Sequence, residues 1–288
     1  MPYVNHKLGR TFYLSKGPDK GVPLVFLHGG PGGRHDSNKP LLKLGKKRKV
    51  FLYDQIGGGK SSSIPMNQWK IETFVDELHC LIEKWKLPEF HLAGGSWGTT
   101  LALEYYLRTR DPRIKSLIFK SPMFSAHDWR RDANKLISEL PAKVRRAIKD
   151  CQKIGTTDSQ VYKDAMTVFY LRHVLRNEKK LKALMNSFEN KNKNGKKIYQ
   201  YMWGPSEFEP TGTLKKYDRV KGLRRIMVPA LLVCGEFDEA TPTTVRKYGN
   251  LMRNSEVRVL KGCSHASLLE NPKLLLRTID GFLEKVDR

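Results

Sequence analysis

The chain has 288 residues, 39% of them hydrophobic, which is enough for one large α/β domain with an inserted subdomain and argues against global disorder. Its 53 Lys and Arg residues outweigh 29 Asp and Glu, giving a net charge of +24. Such a field draws anionic surfaces toward a protein, but the basic residues are spread along the whole chain and match no nucleic-acid recognition motif, so a lysine-rich solvated surface is expected rather than a nucleic-acid partner.

The first residues, Met1-Pro2-Tyr3-Val4-Asn5-His6-Lys7, contain no apolar stretch of the secretory kind, and no later run is long enough to span a bilayer. The expectation is a cytoplasmic protein with no membrane partner. Cys80, Cys151, Cys234 and Cys263 are scattered and form no C-x-x-C pair, which reads as reduced thiols rather than a disulfide framework or a zinc site.

Residues 3–15 alternate around Leu8-Gly9-Arg10, the pattern of an antiparallel hairpin at a sheet edge. Apolar runs at 24–27, 50–53, 90–93, 117–119, 231–234 and 257–260 are short, β-branched and bounded by turn residues, as in buried parallel strands. Between them, Ile71, Phe74, Val75, Leu78, Leu81, Ile82 and Trp85 recur at helical spacing. Residues 99–108 and 243–252 also read as helices, and 272–286 as a closing helix with Asn271 as cap and Pro272 at its first position. Strands alternating with helices predict a mostly parallel, eight-stranded α/β sheet covered on both faces.

That rhythm stops from 125 to 219. This stretch is Lys-rich and strand-free, with helical patterns at 128–131, 135–140, 142–151 and 161–176. The expected organisation is a core of residues 1–124 and 220–288 with a helical cap inserted at 125–219. Residues 186–197 look most like a linker, and the basic runs 46–49 and 191–197 are expected in surface turns.

Four constellations carry chemistry. Gly94-Gly95-Ser96-Trp97-Gly98 follows a predicted strand and precedes a predicted helix, the context of the G-x-S-x-G nucleophile elbow. His28-Gly29-Gly30-Pro31-Gly32-Gly33 follows another strand; such a glycine-rich loop supplies one oxyanion-hole N–H, so Gly30 and Trp97 are the candidate donors. No Gly-Lys-Ser/Thr follows to make it a phosphate loop, and His28 is read as a structural hydrogen bonder. Asp238 lies just past the 231–234 strand, and His265 just past the 257–260 strand. Nucleophile, acid and histidine in this order, each at a strand's C-terminal end, predict the α/β-hydrolase fold with Ser96, Asp238 and His265 as its triad. Neither a metal nor an organic cofactor is called for.

On these motifs the sequence resembles the proline iminopeptidase family of α/β-hydrolases, in particular the tricorn-interacting aminopeptidase type. The resemblance extends to Asp54-Gln55-Ile56-Gly57, to Gly235-Glu236-Phe237-Asp238-Glu239-Ala240-Thr241-Pro242, to Gly262-Cys263-Ser264-His265, and in the cap to Glu139-Leu140-Pro141-Ala142-Lys143 and Trp203-Gly204-Pro205-Ser206-Glu207-Phe208. Ile56 departs from an Asp-Gln-Arg-Gly turn common in the family. The resemblance implies a serine aminopeptidase that releases an N-terminal residue, preferably proline, from short peptides. It also implies two glutamates for the substrate's free amine, which by position are Glu207 and Glu239. Trp129, Phe169, Tyr201, Trp203 and Phe208 are candidates for a proline pocket or for packing within the cap. An amino-acid amidase or carboxylesterase of the same fold, and a non-catalytic binder, are the alternatives.

Overall fold

In the computed structural model, which describes residues 2–191 and 193–288, an eight-stranded sheet runs in the order β1-β2-β4-β3-β5-β6-β7-β8. The opening alternation folds into β1 (Tyr3–His6) and β2 (Gly9–Lys16), paired antiparallel. β2 lies antiparallel on β4 (Val50–Tyr53). From there β3 (Leu24–Leu27), β5 (Phe90–Gly95), β6 (Ile114–Lys120), β7 (Ala230–Gly235) and β8 (Ser255–Leu260) continue the sheet in parallel. Parallel strands end at one edge, so the loops after β3, β4, β5, β6, β7 and β8 converge there.

The connecting helices are α1 (Ile71–Lys84), α2 (Trp97–Thr109), α3 (Ala126–Ser138), α4 (Ala142–Ile154), α5 (Gln160–His173), α6 (Glu178–Lys191), α7 (Lys193–Met202), α8 (Pro242–Gly249), α9 (Ser267–Glu270) and α10 (Pro272–Val286). The period-two geometry of the strands divides their side chains between two apolar layers. Val25, Leu27, Phe51 and Leu232 pack with α1 and α2. Leu24, Phe26, Leu52 and Val233 pack with α10 and with a 3₁₀-helical stretch, His35–Lys46. As the sequence predicts, Asn271 caps α10 by accepting the Leu274 N–H, and Pro272 occupies its first turn.

Between β6 and β7 the described residues form five α-helices and one short 3₁₀ helix, Val220–Arg225, and no strand. An isolated antiparallel bridge between Ser125 and Asp218 brings the two ends of this stretch together. Ile137, Leu140, Ile148, Tyr162, Phe169 and Phe208 give it an apolar cluster of its own.

Two expectations are corrected. Residues 186–197 are not a linker: α6 and α7 occupy them on either side of Asn192, which lies outside the described residues. The basic run 46–49 is not wholly a solvated turn either. Arg48 is buried, and its guanidinium holds Asp287 at 2.6 Å and the Val22 carbonyl at 3.3 Å, pinning the end of α10 to the sheet. Among the described residues no helix is long and apolar enough to cross a membrane.

Candidate active site

Ser96 stands between β5 and α2 with φ of 53°, a left-handed conformation that costs a non-glycine residue energy. The turn is tight enough to demand glycine on both sides. A Cβ on Gly94 would lie 2.2 Å from the Gly98 carbonyl oxygen, and one on Gly98 would lie 2.2 Å from the Leu27 carbonyl oxygen. The strand, the helix and the glycine-rich loop after β3 therefore pass each other in direct backbone contact. The Ser96 N–H donates to the Lys120 carbonyl at 2.9 Å, which ties the elbow to the end of β6.

Asp238 is buried beyond β7 and fully engaged. Its Oδ1 accepts from His265 Nδ1 at 2.8 Å and from the Ala240 N–H at 2.9 Å. Its Oδ2 accepts from Ser121 Oγ at 2.6 Å and from the Gly235 N–H at 3.1 Å. Burial alone would raise this carboxyl, but the His265 ring, the Lys120 ammonium and the Ser121 hydroxyl outweigh it and hold the group below the usual range. With Nδ1 committed to Asp238, His265 has Nε2 free to act on the cavity it shares with Ser96. The two side chains share that wall rather than a hydrogen bond; such bonds often tighten only once substrate is bound.

His265 is held from three directions. Its N–H donates to the His173 carbonyl at 3.1 Å, and the following Ala266 N–H donates to the Val174 carbonyl at 2.7 Å. Lys120 Nζ donates to the His265 carbonyl at 2.5 Å. The Trp129 ring meets the imidazole edge-on, with centroids 5.8 Å apart. Sequence reading missed Lys120 and Ser121, although both stand at the C-terminal end of a predicted strand, where the site residues also lie. Together they touch every member of the constellation: Lys120 through its carbonyl to Ser96 and its ammonium to His265, Ser121 through its hydroxyl to Asp238. Ser121 takes φ of 52°, a second strained residue at this edge.

Gly29 and Gly30 line the cavity beside Ser96. Trp97 opens α2, and the first N–H groups of a helix have no partner within it. The loop is fixed from behind. His28 Nδ1 donates to the Gly29 carbonyl, and Nε2 accepts the Gln55 N–H at 3.0 Å. The Gln55 side chain then receives the Trp97 indole N–H at 2.8 Å and donates to the His28 carbonyl at 3.3 Å. Gln55 thus links the Trp97 side chain to His28, at the start of the loop that carries Gly30. Next to it Ile56 is fully buried, and its N–H donates to both oxygens of Glu77, so here an apolar side chain anchors the turn.

Glu239 is 1% exposed, yet neither carboxylate oxygen has a hydrogen-bond partner. Burial and the neighbouring Glu207 and Asp238 charges push its carboxyl well above the usual range, against the opposing pull of Lys120. Glu207 is half-buried on the cavity wall. Its N–H donates to Tyr170 Oη at 3.1 Å, and its carbonyl accepts the Trp129 and Trp203 indole N–H groups at 2.8 and 3.1 Å. Its carboxyl is also raised, mainly by burial. The fold therefore brings Glu207, from the stretch between β6 and β7, and Glu239, from the core, into one electrostatic neighbourhood beside His265. Among the described residues no cluster of His, Cys, Asp or Glu is arranged to hold a metal ion.

The five aromatic side chains considered for a proline pocket are not among the residues that line the cavity. Phe169 and Phe208 pack inside the helical cluster, Trp129 and Trp203 lie in the larger core, and Tyr201 is partly exposed against Trp69. Tyr170 and Tyr199 face the cavity instead.

A family model for the alpha/beta hydrolase fold matches residues 22–272. The chain is 40% identical over 271 residues to a proline iminopeptidase of Heyndrickxia coagulans, covering 92% of each chain. The crystal structure of a proline iminopeptidase from Mycobacterium smegmatis matches 96% of this chain and 95% of its own at a TM-score of 0.86 and 30% identity. That of VinJ matches 99% and 98% at a TM-score of 0.89, also at 30% identity.

Proposed function

The chain belongs to the proline iminopeptidase family of α/β-hydrolases, and from that premise we propose that it is a serine aminopeptidase releasing an N-terminal residue, preferably proline, from short peptides. We read residues 125–219 as a cap over the sheet edge. In this reading the substrate's ammonium docks between Glu207 and Glu239, where charge-assisted hydrogen bonds replace the water it loses. His265 Nε2 takes the proton of Ser96 as Oγ attacks the carbonyl carbon. The Gly30 and Trp97 N–H groups hold the oxyanion. The C–N bond breaks, and His265 returns the proton to the departing amine. Water, deprotonated by His265, then hydrolyses the acyl-enzyme and regenerates Ser96. Asp238 keeps the imidazole in the required tautomer and stabilises its charged form.

The observation that carries this reading is the Glu239 carboxylate, buried and unpartnered next to the His265–Asp238 pair. A buried carboxylate without a partner is costly, and a substrate cation relieves that cost. An esterase or amidase that ignores the amine has no need of it. The test is hydrolysis of a prolyl arylamide together with mass mapping of a fluorophosphonate adduct. The reading requires turnover, with the adduct on Ser96, and loss of both in Ser96→Ala; undiminished turnover by that variant contradicts it.

A further inference from the structure

The cavity beside Ser96 is about 740 Å³, within the roughly 300–1,000 Å³ that encloses a whole small ligand and larger than one imino acid needs. We infer that its outer part selects peptides whose residues after the scissile bond are apolar. This inference rests on the aminopeptidase reading and deepens it.

One wall is made by α6. Leu181, Leu184, Met185 and Phe188 recur at helical spacing and all line the cavity, a single face of the helix. Leu184 and Met185 are half-buried but belong to none of the three apolar clusters that hold the described fold together. Their apolar surface is thus turned toward the cavity rather than spent on packing. Leu268 and Leu269 line the same space, only a few residues after His265.

That adjacency assigns the direction of the substrate. The amine end is held at Glu207 and Glu239. The departing nitrogen must receive its proton from His265, so the residue it belongs to emerges beside His265, onto Leu268, Leu269 and the α6 face. The wall is held in position: Lys180 Nζ donates to the Leu269 carbonyl at 2.6 Å, and the Arg176 N–H donates to Glu270 Oε1 at 2.7 Å. Apolar side chains gain by leaving water on such a surface.

The test compares kcat/KM for the tripeptides Pro-Gly-Gly, Pro-Ala-Ala and Pro-Leu-Leu, with a prolyl arylamide as reference. Pro-Leu-Leu is expected to exceed Pro-Gly-Gly by roughly tenfold or more, the size of effect a hydrophobic subsite gives, with Pro-Ala-Ala between them. The double variant Leu184→Ser, Met185→Ser is expected to bring the Leu-to-Gly ratio down to about twofold or less. A flat wild-type series with normal arylamide turnover overturns this inference alone; so does a preference that survives the double variant. No turnover of any prolyl substrate overturns the aminopeptidase reading and takes this inference with it. The wild-type series decides the matter even if the double variant does not fold.

Discussion

Glu239 Oε1 stands 3.7 Å from His265 Nδ1, beyond hydrogen-bond reach, while that nitrogen already donates to Asp238 at 2.8 Å. Two consecutive acidic residues thus meet one imidazole on unequal terms. Asp238 has four donors around its carboxylate; Glu239 has none. The first is satisfied within the fold, and the second is the one proposed to meet the substrate's amine.

Glu239→Gln should therefore stabilise the protein while impairing it. Replacing a buried, unpartnered acid by a neutral amide is expected to raise Tm by a few degrees. Loss of the charge-assisted contact, about 1.5–3 kcal/mol, should lower kcat/KM for a prolyl arylamide roughly ten- to a hundredfold, chiefly through KM. Thermal melts and steady-state kinetics on the same preparation check both signs.

Lys120→Met should slow turnover and move its pH dependence. The ammonium holds the His265 carbonyl and lowers the Asp238, Glu207 and Glu239 carboxyls. Without it those acids ionise at higher pH, so the acid limb of kcat/KM should shift upward. A purely structural role would reduce activity evenly across pH. Ser121→Ala removes one hydrogen bond to Asp238 and should cost about 1 kcal/mol, a few-fold in kcat.

Glu77 makes stability depend on pH through the turn that carries Ile56. Burial, reinforced by Asp54, raises its carboxyl to about 8 against the opposing Thr11 and Ile56 hydrogen bonds. A carboxyl whose folded pKa is raised binds its proton more tightly in the native state. Its contribution is favourable below the unfolded value and is lost as pH rises toward 8, at roughly 1.4 kcal/mol per pH unit. Wild-type Tm should fall between pH 6 and 8 more steeply than that of Glu77→Gln, and the two curves should run parallel above pH 9.

Much of the fold was legible in local pattern. Short apolar runs, the alternation of the opening hairpin and helical spacings locate the strands and most helices, and a parallel sheet then forces the loops carrying Ser96, Asp238 and His265 to one edge. Composition misled where it hid periodicity. The Asn- and Lys-rich residues of α6 and α7 read as a linker, although Leu181, Leu184, Met185 and Phe188 share a helix face. Pro40 and Gly45 obscured the 3₁₀-helical stretch. Lys120, Ser121 and His173 went unnoticed, and Gln55 was given no role of its own, because their importance lies in contacts with residues distant in sequence. The aromatic residues Trp129, Phe169, Tyr201, Trp203 and Phe208 stay open in the sequence between a pocket and core packing because an aromatic side chain suits both equally well.

Gly98→Ala probes the elbow itself. Its Cβ would collide with backbone rather than with a movable side chain, so a loss of about 3 kcal/mol or more is expected, read as a fall in denaturation midpoint. Unchanged stability would show that β3 and α2 pass less closely than described.

The central claim of the proposed function is that the site around Ser96 reads a free amino terminus. Its most direct test is kcat/KM for a prolyl arylamide against the N-acetylprolyl arylamide. A loss of about a hundredfold or more on acetylation is predicted, because the buried carboxylates lose their cation. Equal turnover of the two substrates would contradict it.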